Sequence, residues 1–350
     1  MGKIGTITFH WATNYGAIMQ AYALQKYLKS IGKETEIIDY LPLSVNTIQK
    51  TNKLINREFS FFLKERKLNE FRKNELVLSK RRYKSNKSLF KCAKDYDAII
   101  CGSDQIWNES FTTTAERKTT LSYFLNFADN VKKIAYAVSF GTDKLSEKMK
   151  SIITPELEKF TKIGVRENTG KEILSDLNIN SDVVLDPTLL LSQDDYNKLL
   201  ENKTMPKTQK VFSYIIHNNQ TTAVKISNYL KTKFKEDAND NYYDVNCGLY
   251  EWLYYIKNAE IVATNSFHGV VFSIIFNTPF IVVPVENSGM NDRVVTLLSS
   301  LGLEDRIVSE TNNTLVDKLL CEKINWTAVE QKLKELKKNS QDFLAEALNK

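Results

Sequence analysis

The sequence predicts an α/β protein composed of two Rossmann-like domains that face a cleft. Three observations support this fold class. The chain has 350 residues, about twice the size of a usual domain. Short apolar runs alternate with helical stretches, which is typical of parallel sheets with helices on both faces. Residues 190–209 interrupt this alternation with a polar, proline-containing stretch, so we place the domain boundary there.

The first domain, residues 1–195, begins with an apolar run at residues 4–9 that predicts a strand. The polar turn HWATNYG follows, and residues 17–31 then carry apolar side chains at helical spacing. Gly32 ends this helix, and ETEIIDY supplies a second strand. The further strands are predicted at residues 97–104, 132–141, 161–167 and 182–188.

The second domain, residues 205–325, repeats the pattern. Its strands are predicted at residues 211–217, 261–266 and 280–285, with helices near 221–234 and 267–277. Residues 326–350 are rich in Lys and Glu and predict a long amphipathic C-terminal helix. Ligands of such sheets bind at the carboxyl ends of the strands, so polar residues that follow a strand are the first functional candidates.

The positive charge is concentrated in one segment. The net charge of the chain is +6, yet residues 50–94 contain fifteen Lys or Arg against four Glu, a local charge of +11. Ile55, Phe59, Phe62 and Leu63 lie at helical spacing inside a helical insertion at about 45–94. An amphipathic helix with a solvated basic face explains this pattern. The sharper hypothesis is contact with an anionic membrane surface or a lipid-diphosphate-linked glycan, and nucleic acid is the least favoured partner.

Composition excludes several classes of protein. Hydrophobic residues make up 42% and charged residues 26% of the chain, which excludes a mainly disordered or collagen-like protein. No apolar run approaches the ~20 residues of a transmembrane helix, and we recognise no secretory signal. The four cysteines form no CxxC pair and no metal-like spacing with the three histidines. We therefore expect reduced cysteines, no metal site and a cytoplasmic location, with peripheral contact at the inner membrane face as the further hypothesis.

The most informative local sequence is IVATNSFHGVVFSIIFNTPF at residues 261–280. An apolar strand ends there in a polar turn, where Asn265 or Ser266 is suited to cap the next helix. Gly269 keeps the first helical turn open to close approach. His268 lies at the helix N-terminus, which favours an anion, and a histidine there can also deliver a proton. A packed histidine in a capped core helix is the alternative.

Two arginines are candidate anion ligands. Arg166 ends the predicted strand TKIGVRE, where its guanidinium would point at the cleft and grip a phosphate or carboxylate. A salt bridge with Glu167 or Glu172 explains Arg166 equally well. Arg293, in SGMNDRVVTLL, is the second candidate, and an isolated surface arginine is its alternative.

Two turns of the first domain offer polar groups for a substrate. The tight turn in CGSDQIWN would expose Asp104, and Trp107 would supply an apolar face; a carboxylate with an aromatic ring commonly holds a sugar. A turn aspartate beside a core tryptophan is the alternative. Asn14 and His10 lie near the start of the first helix, but no G-x-G-x-x-G occurs there, so a dinucleotide site is poorly supported.

Six motifs occur in the order that is typical of one family. They are NYGAIMQAYALQKYL, YDAIICGSDQIWN, IAYAVSFG, IGVRE, VLDPTLLL and TNSFHGVVFSIIFNTPF. Through these motifs the chain resembles the polysaccharide pyruvyl transferase family across roughly residues 4–305. Members of this family are similar to GT-B glycosyltransferases in fold, so the resemblance implies a GT-B-like protein.

The resemblance also implies a reaction. Members transfer the enolpyruvyl unit of phosphoenolpyruvate onto two sugar hydroxyls, form a pyruvate ketal and release phosphate. The expected acceptor is a bacterial cell-surface polysaccharide or its lipid-linked precursor. No further cofactor is expected. The resemblance places His268 near phosphoenolpyruvate as the general acid and Arg166 as the anion-binding arginine. Some members carry an Arg where this chain has Ser266, and Arg293 is the candidate that restores this charge. Asp104 is the candidate base for the hydroxyl protons.

Two other functions remain as alternatives. The first is a GT-B glycosyltransferase with a nucleotide-sugar donor, in which retaining members often use two Glu seven residues apart. Here Glu286 is followed seven residues later by Arg293, which suits an anion better than a ribose. The second is a non-catalytic glycan- or lipid-binding protein, a hypothesis based on Ser266 and the basic segment.

Overall fold

The computed structural model describes residues 2–42, 59–112, 120–216, 221–236, 247–285 and 289–349. The chain divides into two compact units. Unit 1 comprises residues 1–191 and 336–350, and unit 2 comprises residues 192–335. The division after Leu191 lies within the polar stretch 190–209 noted in the sequence.

In the described part of the chain, unit 1 contains a sheet of six parallel strands. They are β1 (Ile4–Ile7), β2 (Thr35–Ile37), β3 (Ala98–Cys101), β4 (Lys132–Val138), β5 (Lys162–Val165) and β6 (Asp182–Val183). Their order across the sheet is β2-β1-β3-β4-β5-β6. β1 and β3 are buried along their whole length, as expected for central strands covered on both faces. The strand order reverses beside β1, which makes the carboxyl ends of β1 and β3 the expected place for a ligand.

The helices of unit 1 flank this sheet. They are α1 (Tyr15–Ser30), α2 (Phe59–Glu75), α3 (Asn86–Leu89), α4 (Glu109–Thr112), α5 (Glu147–Leu157) and α6 (Asn168–Asp176). The predicted basic insertion is therefore helical at α2 and α3, whereas residues 77–83 between them follow the edge of β2. Of the predicted apolar stripe, Ile55 and the side chains of Phe59 and Phe62 lie outside the described residues.

Unit 2 contains a parallel sheet in the order β7-β8-β9. Its strands are β7 (Val211–Tyr214), β8 (Ile261–Thr264) and β9 (Phe280–Val282). Its helices are α7 (Gln193–Leu200), α8 (Thr221–Lys233), α9 (Leu249–Asn258), α10 (Phe267–Ile275), α11 (Asp292–Leu301) and α12 (Asn313–Cys321). The last helix, α13 (Trp326–Asn349), begins in unit 2, and its residues from 336 onward belong to unit 1.

The predicted α/β class with parallel sheets is confirmed, but the predicted strands extend too far. β3 ends at Cys101 and β5 at Val165, because the chain turns into polar segments there. The predicted strand at 182–188 is only two residues long, since Pro187 starts a short 3-10 helix that Asp186 caps. Among the described residues, no helix is long and apolar enough to cross a membrane.

Candidate functional site

Polar residues follow three strands of unit 1 at one edge of the sheet. Ser103 and Asp104 follow β3, Arg166 follows β5, and Asp186 follows β6. The carboxyl ends of parallel strands meet at the same edge, so these side chains approach one another. We call these four residues the Asp186 cluster.

The carboxylate of Asp186 is the centre of this cluster. It is fully buried, and one of its oxygens accepts hydrogen bonds from Arg166 Nη1 and Ser103 Oγ, both at 2.9 Å. The other oxygen accepts from the N–H of Thr188 at 3.0 Å and from its hydroxyl at 2.6 Å. These bonds connect the end of β5 to the turn after β3, and the bond from Arg166 joins two opposite charges.

The guanidinium of Arg166 is enclosed by acidic side chains. Burial disfavours its charge, but the carboxylates of Asp186, Asp104 and Glu167 raise the pKa of Arg166 above its ordinary value. Nη2 lies 3.6 Å from Asp104 Oδ1, and Nε lies 3.9 Å from Glu167 Oε2. The Arg166 side chain is 1% exposed, and its main partner is Asp186. The structure therefore gives Arg166 an ion-pair role, and its direct contact with a ligand stays a prediction.

Asp104 is the most exposed acid around this guanidinium. Its side chain is 18% exposed, against 6% for Glu167 and 0% for Asp186. Its backbone φ of +81° lies in the left-handed region that few non-glycine residues adopt. The carbonyl of Asp104 accepts a hydrogen bond from the N–H of Ser139 at 3.0 Å, which holds this strained turn. Strain of this kind is concentrated at functional sites, which supports Asp104 as a candidate.

Trp107 lies in the core of unit 1. Its side chain is fully buried, and its indole Nε1 donates to the carbonyl of Tyr123 at 3.0 Å. Its ring stacks on Phe124 with 5.2 Å between the ring centroids. A fully buried ring has no face to offer a sugar, so the prediction that Trp107 contacts a substrate is wrong and the core alternative is correct.

Asn14 is the N-cap of α1. Its side-chain oxygen accepts a hydrogen bond from the N–H of Ala17 at 3.2 Å, which satisfies one of the free donors of the first helical turn. The residue is exposed at the carboxyl end of β1. The structure therefore gives Asn14 a capping role, and its contact with a substrate stays a prediction.

His10 and Asp39 form a buried pair at the same edge of the sheet. His10 Nε2 lies 3.2 Å from Asp39 Oδ1, and His10 Nδ1 lies 3.2 Å from the carbonyl oxygen of Thr8. Arg82 Nε donates to the other oxygen of Asp39 at 2.8 Å. Burial raises the pKa of Asp39, but the hydrogen bonds from His10 and Arg82 outweigh burial and lower it below its ordinary value.

Arg72 of α2 holds the turn that follows β1. Its Nε donates to the carbonyl of His10 at 2.9 Å, and its Nη2 donates to the carbonyls of Trp11 and Ala12 at 3.2 and 2.6 Å. Its Nη1 pairs with Glu65 at 3.1 Å. One arginine of the basic segment therefore has a structural role inside unit 1.

The turn between β8 and α10 is the candidate site of unit 2. Ser266 is the N-cap, and its hydroxyl accepts a hydrogen bond from the N–H of Gly269 at 3.4 Å. The hydroxyl of Thr264 donates to the carbonyl of Tyr214 at 2.6 Å and accepts from the N–H of Ser266 at 3.0 Å. A Cβ on Gly269 would lie 2.4 Å from Thr264 Oγ1. Gly269 is therefore required for close packing of the helix on the strand, and its place near a substrate stays a prediction.

The remaining predicted residues of unit 2 lie around the start of α10. Asn265 Oδ1 accepts from the N–H of Ile216 at 2.8 Å, while its Nδ2 is buried and has no hydrogen-bond partner among the described residues. His268 is the second residue of α10 and is 6% exposed, with its ring centroid 5.2 Å from that of Phe267. The guanidinium of Arg293, near the start of α11, lies 5.8 Å from the Phe267 ring centroid. The structure thus brings Arg293 to the helix start that carries His268.

This arrangement has defined chemical capabilities. The N-terminus of α10 and the nearby Arg293 favour an anion, and the imidazole of His268 can transfer a proton. In unit 1, Asp104 offers a carboxylate that reaches solvent. Among the described residues, no group of three or more His, Cys, Asp or Glu is placed to hold a metal ion.

Sequence reasoning missed three residues of these sites: Asp186, Asp39 and Arg72. Asp186 had a signal, because an aspartate that follows an apolar strand and precedes Pro-Thr is suited to accept from the next N–H and hydroxyl. Asp39 had only its place at the end of a predicted strand. Arg72 had none, because its partners are backbone carbonyls sixty residues earlier in the chain.

The fold and these residues define a GT-B-like α/β protein. Similar solved structures include UDP-GlcNAc 2-epimerase from Neisseria meningitidis bound to UDP-GlcNAc, with TM-score 0.55, 10% identity and 99% of each chain covered. UDP-N-acetylglucosamine 2-epimerase from Rickettsia bellii has TM-score 0.52 and 10% identity, with 99% of this chain and 96% of that chain covered. Arabidopsis thaliana UGT89C1 complexed with UDP-L-rhamnose also has TM-score 0.52 and 10% identity, with 99% and 98% covered. At this identity the likeness confirms the GT-B-like fold and nothing finer.

The family is shown by the sequence itself. Residues 14–287 match the family model "Polysaccharide pyruvyl transferase". The match spans more than half of the chain, and the chain belongs to the polysaccharide pyruvyl transferase family. No curated protein matches the sequence.

Proposed function

We propose that the chain transfers the enolpyruvyl unit of phosphoenolpyruvate onto two hydroxyls of one sugar residue. The product is a pyruvate ketal, and inorganic phosphate is released. The acceptor is a sugar of a bacterial cell-surface polysaccharide or of its lipid-linked precursor. The observation that carries the proposal is the histidine at the start of α10 beside Arg293, in a chain of this family.

Unit 2 supplies the donor side in this proposal. Phosphoenolpyruvate carries a phosphate and a carboxylate, and the N–H groups at the start of α10 together with Arg293 supply positive potential. Ser266 contributes its capping hydroxyl where some members have an arginine. A donor oxygen that reached the buried Nδ2 of Asn265 would satisfy a group whose isolation is costly.

His268 is the proposed general acid. Its imidazolium gives a proton to C3 of the enol, so C3 becomes a methyl group and C2 becomes electrophilic. The first sugar hydroxyl adds to C2 and loses its proton. The second hydroxyl then displaces phosphate from C2, which closes the ketal ring and leaves the second proton to a base or to the departing phosphate.

Unit 1 supplies the acceptor side, with Asp104 as the proposed base for the hydroxyl protons. Arg166 acts in this proposal through Asp104 and not on the donor: its guanidinium, fixed by Asp186, lies 3.6 Å from the Asp104 carboxylate and orients it. Asn14 stays a proposed contact of the acceptor. Trp107 has no part in substrate binding, because its ring is buried. No cofactor and no metal ion enter the reaction.

The test uses the purified full chain with phosphoenolpyruvate and a panel of sugar and lipid-linked acceptors. Phosphate release and ketal formation, the latter by mass spectrometry and NMR, are measured together. We expect His268→Ala to lose turnover by at least about a hundredfold, the usual contribution of a general acid. Arg293→Ala should raise the KM for phosphoenolpyruvate. The control Lys318→Ala removes a well-exposed cation of the same unit and should leave both the turnover and this KM unchanged.

The alternative functions are separate arms of the same experiment. Binding of UDP- or GDP-sugars without binding of phosphoenolpyruvate would favour the nucleotide-sugar glycosyltransferase and exclude the pyruvyl transfer. Binding of glycan or lipid with no phosphate release from any acceptor would favour a non-catalytic binding protein. Glu286, which the glycosyltransferase hypothesis considers, lies outside the described residues.

A further inference from the structure

Among the described residues of the basic segment, the exposed charge is concentrated at residues 80–94, which we call the basic face. This stretch contains seven Lys or Arg and no acidic residue. All seven side chains are exposed: Lys80, Arg81, Arg82, Lys84, Lys87, Lys91 and Lys94. In α2, by contrast, basic residues alternate with three glutamates, and Arg72 is buried. Among the described residues of the segment, most of the exposed positive charge therefore belongs to the basic face, although Arg82 pairs with Asp39.

The first half of the basic face lies beside β2, the outermost strand of the sheet. Residues 77–83 run parallel to residues 37–41, with hydrogen bonds from the N–H of Ile37 to the carbonyl of Val77 and from the N–H of Leu41 to the carbonyl of Tyr83, at 2.8 and 2.9 Å. Ser79 and Tyr83 are buried, so the basic residues between them point outward. These hydrogen bonds and buried side chains fix the backbone from which the basic side chains extend.

The second half of the basic face is anchored as well. The side-chain amide of Asn86 donates to Ser122 Oγ at 2.9 Å and to Asn126 Oδ1 at 2.7 Å, while Leu89 and Cys92 are buried. Between these two buried residues, Phe90 is 53% exposed. Exposure of this large apolar ring to water is unfavourable in free energy. The fold does not require it, because Asn86, Leu89 and Cys92 already hold the segment in place.

Two simpler explanations account for only part of this surface. Charged residues protect the edge of a sheet against pairing with other chains, which explains Lys80 to Lys84 but not an exposed phenylalanine beyond the edge. Nucleic acid would be attracted by the same charge, but single strands are usually held by several stacking aromatic rings in a groove. Basic residues around an exposed aromatic ring fit a surface that is anionic outside and apolar just beneath.

We propose that the basic face docks on a membrane that contains anionic phospholipids. Six of the seven basic side chains contact the headgroups, because Arg82 pairs with Asp39, and Phe90 enters the boundary between headgroups and acyl chains. This inference is independent of the proposed reaction, because no residue of the basic face has a role in that reaction and its test measures binding alone.

The test compares the full chain on vesicles of phosphatidylcholine and on vesicles of phosphatidylcholine with phosphatidylglycerol, by co-sedimentation at several salt concentrations. We expect binding to the anionic vesicles only, with weakening as salt rises. Removal of three charges in the Lys84→Ala, Lys87→Ala and Lys91→Ala variant should weaken binding on the order of a hundredfold, since each basic residue contributes roughly a factor of five. Phe90→Ser should weaken it by about tenfold with the salt dependence unchanged.

A matched control removes the exposed lysines 332, 334 and 338 of α13, which takes the same number of charges from another surface. This control should bind like the unchanged protein. Equal binding to neutral and anionic vesicles, no binding to either, or an equal loss in the α13 control would each overturn the proposal. Tight binding to a single-stranded oligonucleotide or a soluble acidic polysaccharide that is insensitive to Phe90→Ser, together with weak vesicle binding, would assign the basic face to a polyanion instead.

Discussion

The Asp186→Asn substitution tests whether Asp186 stabilises unit 1 by neutralising Arg166. The substitution keeps the shape of the side chain and the acceptor that faces the Thr188 N–H and hydroxyl. It replaces the oxygen that receives Arg166 Nη1 at 2.9 Å with an amide nitrogen, so two donors face each other. Ser103 can turn its hydroxyl to accept from this amide, whereas a guanidinium cannot accept.

The expected loss follows from burial. The side chains of both partners are at most 1% exposed, so water cannot replace the lost carboxylate. Breaking a buried pair by removing one charge costs about 3–5 kcal/mol. Asp104 and Glu167, at 3.6 and 3.9 Å from the guanidinium, keep the loss toward the lower end of this range. We expect a decrease of about 3 kcal/mol in the free energy of unfolding of unit 1.

Two buried cysteines allow the assay to report on each unit separately. Cys101 lies in β3 of unit 1 and is fully buried, and Cys247 is buried in unit 2. Thiol labelling in increasing urea, read by mass spectrometry of the two peptides, gives one unfolding curve for each unit. Asp186→Asn should lower the midpoint for Cys101 and leave the midpoint for Cys247 in place.

The matched control is Asp182→Asn in β6. Asp182 lies 3.7 Å from Lys162 and its side chain is 58% exposed, so its removal should cost less than about 1 kcal/mol. The double variant Arg166→Met with Asp186→Asn should recover part of the loss, because the uncompensated cation is gone. A loss below about 1 kcal/mol for Asp186→Asn, or a double variant whose loss equals the sum of the single losses, would refute the reasoning.

Three further predictions concern other parts of the fold. In the folded chain a thiol reagent should label Cys321, which is exposed, and should not label Cys92. Burial raises the pKa of Cys92 to about 12, so its reactive thiolate does not form. Mass spectrometry of the labelled peptides checks this prediction. Ionised Asp39 stabilises the fold above the ordinary aspartate pKa of about 4, and this stabilisation is lost as pH falls through its lowered pKa. Asp39→Asn should therefore reduce stability at pH 7. The urea midpoint of this variant, measured at a series of pH values, should also fall less steeply toward acid pH. Gly269→Ala should cost about 1–3 kcal/mol in urea unfolding read at Cys247, and the added substitution Thr264→Ala should remove the clash but not restore the full stability.

The strands and the capped start of α10 could be predicted because they depend on local patterns. A short apolar run followed by polar residues marks β3, β5 and β8 regardless of their surroundings, and a Ser three residues before Gly269 marks an N-cap. The ends of the strands were less predictable. Apolar residues continue past Val183, and only the place of Asp186 and Pro187 in the folded chain ends the strand.

The partners of charged and aromatic side chains could not be predicted, because tertiary packing decides them. Arg166 had acidic neighbours in sequence, yet its main partner lies twenty residues later, just after the strand that pairs with β5. Trp107 follows a turn, a pattern that suits an exposed ring and a core ring equally. Its burial depends on Phe124, which approaches from a separate segment.

The distribution of these partners supports placing the donor charge in unit 2. An arginine beside the start of a helix adds to the positive potential that the helix N-terminus offers to an anion. Arg166 is surrounded by three carboxylates, and Arg72 pairs with Glu65 and donates to backbone carbonyls. Arg293 is half-buried and lies over the ring of Phe267, directly beside the start of α10. Of these three arginines, Arg293 is the one that lies beside this helix start, and in the proposed reaction it supplies the charge that some family members carry where this chain has Ser266.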